Sequence, residues 1–243
     1  MKASKKGTLV KKCCLWVFIL VTLLGCSTKV GYYFLDWAIE WKIEEYVTLN
    51  HQQELQFSIA LDEFIQWHRT QELPRYQAQL SQLLAEFNNQ SFTLQSWDDH
   101  IVSAKSHWIR VFDFIESSIV PIISSFSEEQ VEQVIAQLRA EEKELNKKYL
   151  GKDQAALVKM ADERIEKRTN KWMGKLTQTQ KAAIHDYNTA RSDTLDMWLE
   201  YRHDWIRLFS QALKNRQNQA ALSHSLRVLM TQGDSLWSKA YKE

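Results

Sequence analysis

The sequence predicts an all-α protein, an irregular bundle of about seven to nine helices. Three observations predict it. Beyond residue 25 the chain holds only four glycines (31, 151, 174 and 233) and two prolines (74 and 121). Apolar residues recur at spacings of three and four almost throughout. No alternating apolar–polar stretch is long enough to make a strand.

The elements can be justified in order. A first helix is expected from about Tyr32 to Val47, with Tyr32, Leu35, Ile39, Ile43 and Tyr46 on one face. Tyr33, Trp37 and Trp41 widen that face, and Asp36, Glu40 and Glu44 form the polar stripe. The aromatic face is read as core rather than as a membrane-surface face, because interfacial helices carry Lys and Arg opposite their aromatics and this one is acidic. A second helix starts near Asn50 and places Phe57, Leu61, Phe64 and His68 on one stripe. Pro74 must end or kink it. Tyr76, Leu80, Leu83 and Phe87 continue as a third helix or a bent continuation, and residues 88–93 are a polar connector.

Trp97, Ile101, Ala104, Trp108, Phe112, Ile115 and Ile119 make the cleanest amphipathic segment. Ser96 is its expected N-cap, Asp98 and Asp99 favour its positive end, and Pro121 is expected to close it. The helix after Ser127 turns Val131, Val134, Leu138 and Leu145 inward and breaks at Gly151. Residues 152–175 form the most charged helix, ended by Gly174. Thr177 caps the next, whose stripe includes Ile184, Tyr187, Trp198, Trp205 and Phe209. Leu222, Leu226, Leu229 and Trp237 give the last apolar contacts.

Three helix starts share one pattern: Asn50 with Gln53, Ser127 with Gln130, and Thr177 with Gln180. Each fits a capping box, in which the first side chain accepts from the N3 amide and the glutamine reaches back. Only the second has a good hydrophobic staple, Phe126 with Val131.

The N-terminus has the build of an export signal. Lys2, Lys5, Lys6, Lys11 and Lys12 precede an apolar run of thirteen residues, Cys13 to Gly25. Secretory apolar regions are about 7–15 residues long, whereas a spanning helix needs about 20. Leu23-Leu24-Gly25-Cys26 resembles the lipobox of bacterial lipoproteins. That resemblance implies cleavage before Cys26 and a lipid on Cys26. The expected organisation is a signal peptide at 1–25, a lipidated tether at 26–30 and a single helical domain at 31–243. Ser27 stands where lipoproteins of the inner membrane often carry Asp. By that analogy the protein sits on the outer membrane and faces the periplasm.

Loss of residues 1–25 removes five lysines, which lowers the basic count from 31 to 26 against 30 acidic residues, a formal charge of −4. An acidic body is a poor binder of nucleic acid by bulk charge. Cys13 and Cys14 leave with the signal and Cys26 carries lipid, so no internal disulfide is expected and stability must come from packing.

Candidate chemistry is sparse. His68 and Glu72 are four apart on a helix, close enough to pair for acid–base work. His68 also shares the stripe of Phe57, Leu61 and Phe64, which fits a core histidine held by a carboxylate. Arg69 and Arg75 flank the proline bend. His100 and His107 lie two turns apart, and His185-Asp186 and His203-Asp204 are sequence neighbours; a solvated histidine explains each. There is no His-Glu-x-x-His, no paired cysteine, no Gly-rich phosphate loop and no nucleophile elbow. No metal, no catalytic residue and no cofactor beyond the lipid on Cys26 is expected. Arg164, Arg168, Lys171 and Lys175 step by four, three and four along one helix face. That face suits anionic headgroups or an acidic partner, or else a solvated stripe with Glu163 paired to Lys167.

Leu176-Thr177-Gln178-Thr179-Gln180 also resembles the Leu-Thr-x-x-Gln motif of Spy/CpxP-type periplasmic proteins, one of which is an ATP-independent chaperone. Along the whole chain a wider resemblance emerges. It runs through Tyr33-Phe34-Leu35-Asp36-Trp37, Glu44-Glu45-Tyr46-Val47, Trp67-His68-Arg69 and Glu72-Leu73-Pro74-Arg75-Tyr76. It continues through Phe126-Ser127-Glu128-Glu129-Gln130-Val131 and Trp172-Met173-Gly174-Lys175-Leu176 with Gln180, and ends in Arg202 and Trp205. In this order the motifs resemble a family of bacterial lipoproteins, domain of unknown function 6279. The family pattern has a proline near Glu40 and a leucine at Met173, and this chain departs mildly at both. The resemblance implies a helical periplasmic lipoprotein and supplies no catalytic residues. The expected role is non-catalytic binding in the cell envelope, with an envelope protein as partner, or chaperone-like holding of unfolded clients. A hydrolase or metal enzyme would need a pocket joining His68 and Glu72 to other polar groups.

Overall fold

The computed structural model describes residue 32 and residues 34–191 and 194–237, and among them every regular element is helical. The all-α expectation therefore holds. The chain forms two compact units, Met1–Glu45 and Tyr46–Glu243.

The first unit contributes helix α1, Leu35–Glu44. None of its residues is buried. Leu35, Ile39 and Ile43 are half-buried, while Trp37 and Trp41 stack on each other at 6.3 Å and are mostly exposed. The expectation that this aromatic face is core is thus corrected. The two tryptophans lie one turn apart and off the aliphatic stripe, so they stack on each other.

The second unit opens with α2, His51–Trp67, a π-turn at His68–Glu72, and α3, Leu73–Asn88. Pro74 neither ends nor breaks this rod. The Leu73 amide bonds to the His68 carbonyl across the widened turn, and Pro74 falls in the first turn of α3, where a missing N–H is tolerated. After residues 89–93 the chain returns antiparallel as α4, Leu94–Ser124. Gln53 meets Ser125, Phe64 meets Phe114, and Gln79 meets His100 along the pair.

Two features of α4 correct the sequence reading. Its N-cap is Thr93, with Ser96 at N3 completing the capping box. Pro121 lies inside the helix, which continues to Ser124. A helical proline costs about 3 kcal/mol. Val120 and Ile122 are both buried beside it, and burying such side chains stabilises by roughly 1.5–3 kcal/mol each, enough to hold the last turn.

Then follow α5, Glu128–Tyr149; α6, Gln154–Met173; α7, Gln178–Ala190; α8, Thr194–Lys214; α9, Gln219–Thr231; and a 3-10 turn, Gly233–Leu236. The sequence reading merged α7 and α8. The chain leaves the helix at Arg191, whose carbonyl takes the Thr194 amide and hydroxyl in a turn. Gly151 and Gly174 end their helices with φ of 77° and 75°, a left-handed backbone that favours glycine.

Caps define most starts. Asn50, Thr93, Ser127, Asp153, Thr177 and Asn218 each accept from the N3 amide of their helix. Each such cap is worth about 1 kcal/mol. Phe126 and Val131, the expected staple residues, are both buried. A core of Phe112, Val120, Ala212, Leu222 and Leu226 unites α4, α8 and α9. Among the described residues no helix is long and apolar enough to cross a membrane.

Candidate functional site

The most unusual local structure is the π-turn, and it positions the most unusual side chain. Glu72 is a carboxylate with no exposed surface. Its partners come from α4. Arg110 Nε donates to Oε2 at 3.0 Å and Arg110 Nη2 to Oε1 at 2.7 Å, a bidentate fork. His107 Nδ1 meets Oε1, and Arg75 stands 3.8 Å from Oε2. The Arg110 hydrogen bonds hold the Glu72 carboxyl below the usual carboxylate range, against the effect of burial. Glu72 in turn raises the Arg110 guanidinium.

The chain of polar contacts continues from there. The Gln79 amide nitrogen donates to the His100 carbonyl at 2.8 Å. That bond fixes the amide, so its oxygen accepts from His107 Nε2 at 2.7 Å. His100 Nε2 reaches Glu86 at 3.2 Å. Tyr76 sets its ring edge-on to His107, with centroids 4.5 Å apart. His100 is buried and His107 half-buried within one network, and the expectation of solvated histidines is corrected for both.

His68 fits the expected core histidine beside a carboxylate, since the Glu72 charge acts on it. His68 stands among Phe64, Trp67 and Tyr76, and its pKa is lowered by burial despite the nearby Glu72 charge. The fork that holds Glu72 comes from Arg110, which sequence reasoning missed. A signal was present: His107 and Arg110 lie three apart and so share a face of α4.

Chemically the arrangement is saturated. Both oxygens of Glu72 are engaged. A carboxylate so held below its ordinary range is a poor base. Its evident work is to pin the π-turn to α4.

A second buried network joins two of the expected capping boxes. Gln53 Nε2 donates to the Ser125 hydroxyl at 3.0 Å and to Gln130 Oε1 at 3.2 Å. Gln130 Nε2 donates to Gln53 Oε1 at 2.6 Å and to the Thr48 carbonyl at 2.8 Å. The boxes of α2 and α5 thus exchange hydrogen bonds through their N3 glutamines. The Thr177–Gln180 box stands alone and exposed. Buried Arg216 was not anticipated; it donates to the Phe126 carbonyl and to Glu128 at the start of α5.

Of the cationic candidates, Arg69 lies within the π-turn and Arg75 just after it, both exposed, and Arg164, Arg168 and Lys171 are exposed along one face of α6. Lys175 does not belong to that stripe, because α6 ends at Met173 and Gly174 turns the chain away. The expected Glu163–Lys167 pair does not form. The acids of α6 turn to α7 instead: Asp162 to His185 and Asn188, and Glu166 to Lys181. Leu23, Leu24, Gly25 and Cys26 lie outside the described residues. Among the described residues no cluster of three or more His, Cys, Asp or Glu is placed to hold a metal ion.

Residues 45–242 match the family of unknown function DUF6279, and the chain belongs to that family. No curated protein and no solved structure matches it.

Proposed function

We propose that this DUF6279 chain is a lipid-anchored, non-catalytic binding protein of the bacterial cell envelope. Acylated Cys26 would hold it on the outer membrane, with the helical body facing the periplasm. One observation carries the binding role. Leu80, Leu84 and Phe87 form an exposed apolar stripe on α3, and Leu94, Trp97 and Ile101 form another on α4. Their exposure runs from 40% at Ile101 to 83% at Leu94, far above that of core residues. Phe92 links the two stripes, stacked on Phe87 at 4.4 Å and edge-on to Trp97 at 6.3 Å. Apolar surface of this kind marks a protein contact. The saturated Glu72 network supports binding over catalysis.

A second reading, ATP-independent holding of unfolded clients, is favoured by exposed aromatics elsewhere. Trp37 and Trp41 on α1 and Trp172 at the end of α6 do not belong to the α3–α4 stripes. In-cell photo-crosslinking from Leu84, Arg75 and Arg168 separates the two. One or two discrete adducts from Leu84 establish a specific envelope partner, and a broad smear of envelope proteins establishes the client-holding role. Silence at Leu84 with adducts at Arg168 overturns the assignment of the α3–α4 face. For the anchor, Cys26→Ser should abolish metabolic lipid labelling, and persistent labelling would sink it.

A further inference from the structure

A groove lies among the end of α5, α6, α7 and α8 in the second unit, with a cavity volume of about 720 Å³. Small-molecule sites typically measure about 300–1,000 Å³. Its floor is apolar, with Leu157, Val158, Leu195 and Trp198. Its rim is cationic, with Lys148, Arg164, Lys167, Arg168, Lys171 and Arg191. One acid, Glu163, lines it with them.

Such a rim is not explained by composition, since the whole chain carries a formal charge of only +1. Nor do the described acids nearby neutralise it. Asp162 and Glu166, the acids that could offset it, are drawn to α7 by His185, Asn188 and Lys181. Among the described residues none of the six cations forms an ion pair with a carboxylate. Three of them rest on tyrosines. Arg164 donates to the Tyr149 hydroxyl at 3.5 Å, Lys148 lies 5.1 Å from the Tyr149 ring, and Arg191 lies 4.8 Å from the Tyr187 ring.

We propose that this groove binds a single-chain anionic lipid, its hydrocarbon on the floor of Leu157, Val158, Leu195 and Trp198 and its phosphate against Arg164, Arg168 and Lys171. The chemistry of the groove selects this class. An apolar floor has no use for a free phosphate, and six cations around it are wasted on a neutral chain. Arg164 and Arg168 are one turn apart, so both guanidiniums reach one phosphate and offer it forked donors. The assignment does not depend on the acylation of Cys26.

The test uses the full chain in a neutral detergent, examined by native mass spectrometry with lysophosphatidylglycerol, with lysophosphatidylcholine of the same chain length, and with glycerol phosphate. The anionic lipid should be retained about tenfold better than the zwitterionic one. Arg164→Glu with Arg168→Glu should lower its retention at least about tenfold while leaving the melting temperature unchanged, because both side chains are exposed. A lysophosphatidylglycerol with a photoreactive acyl chain should label the peptide holding Leu195 and Trp198. Equal retention of the two lipids, an unaffected double variant, or labelling confined to other helices would each overturn the proposal. Retention of glycerol phosphate as strong as that of the lipid would overturn it too, by showing a plain phosphate site.

Discussion

Glu72 shows how much one side chain decides at the residue scale. In Glu72→Gln the guanidinium of Arg110 keeps its burial and loses its counter-charge. Breaking a buried pair costs about 3–5 kcal/mol, and the lower end applies because Arg110 is partly open to water. Urea denaturation of the variant should therefore show a loss of about 3 kcal/mol with an unchanged slope. The pH dependence has a definite sign. Arg110 holds the folded carboxyl below its ordinary value, so the contribution is full above that value and is lost as pH falls through the lower, folded one. The variant should lack this acid limb. His68 behaves differently. Burial lowers its folded pKa from 6.5, so below 6.5 the unfolded chain gains a proton that the folded chain resists, and stability falls. His68→Phe, which suits the ring cluster of Phe64, Trp67 and Tyr76, should remove that loss. Its advantage in melting temperature over the parent should grow from neutral to mildly acid pH; a constant difference would contradict the burial of the imidazole.

At the scale of elements, the exchange between Gln53 and Gln130 ties the start of α2 to the start of α5. A double-mutant cycle with Gln53→Ala and Gln130→Ala should give a coupling of about 1–2 kcal/mol, since each single change strands a buried amide. Thr177→Ala, at the exposed box, should cost about 1 kcal/mol or less and couple to neither. The contrast also explains what could be read from sequence. Asn50, Ser127 and Thr177 were legible as caps because a cap contacts a backbone amide three residues away. Their pairing was not, because Gln53 and Gln130 are 77 residues apart and three similar motifs carry no sign of which joins which. The Thr93 box escaped notice because Ser96 fills the place where a glutamine or glutamate announces such a box. Pro121 misled for a related reason: a local breaker was outweighed by burial of Val120 and Ile122 in the core. The fork on Glu72 was hidden in the same way, by a separation of 38 residues and by a π-turn that shifts the expected register.

For the whole molecule the question is why a helical body with a sound core leaves apolar stripes in water. Periodicity read Leu80, Phe87, Trp97 and Ile101 as core positions, and all four are exposed. The far half of the α4 stripe meets the C-terminal helices, Trp108 donating to the Met230 carbonyl of α9 and Phe112 joining the core with α8 and α9. The near half packs beside α3 and leaves Leu94, Trp97 and Ile101 exposed, so its spacing fits the docking face proposed above. Stability and binding should then separate. Leu80→Lys with Leu84→Lys removes exposed apolar groups and should change the unfolding free energy by about 0.5 kcal/mol or less. Leu222→Ala, at a side chain 1% exposed, should cost about 2–5 kcal/mol. In cells the order should reverse: the double lysine variant should lose the adduct captured from Arg75 while a Leu222→Ala population that remains folded keeps it. If the lysine variant keeps the adduct at full yield, the stripes are not the docking surface, and their exposure would need an account from folding or solubility instead.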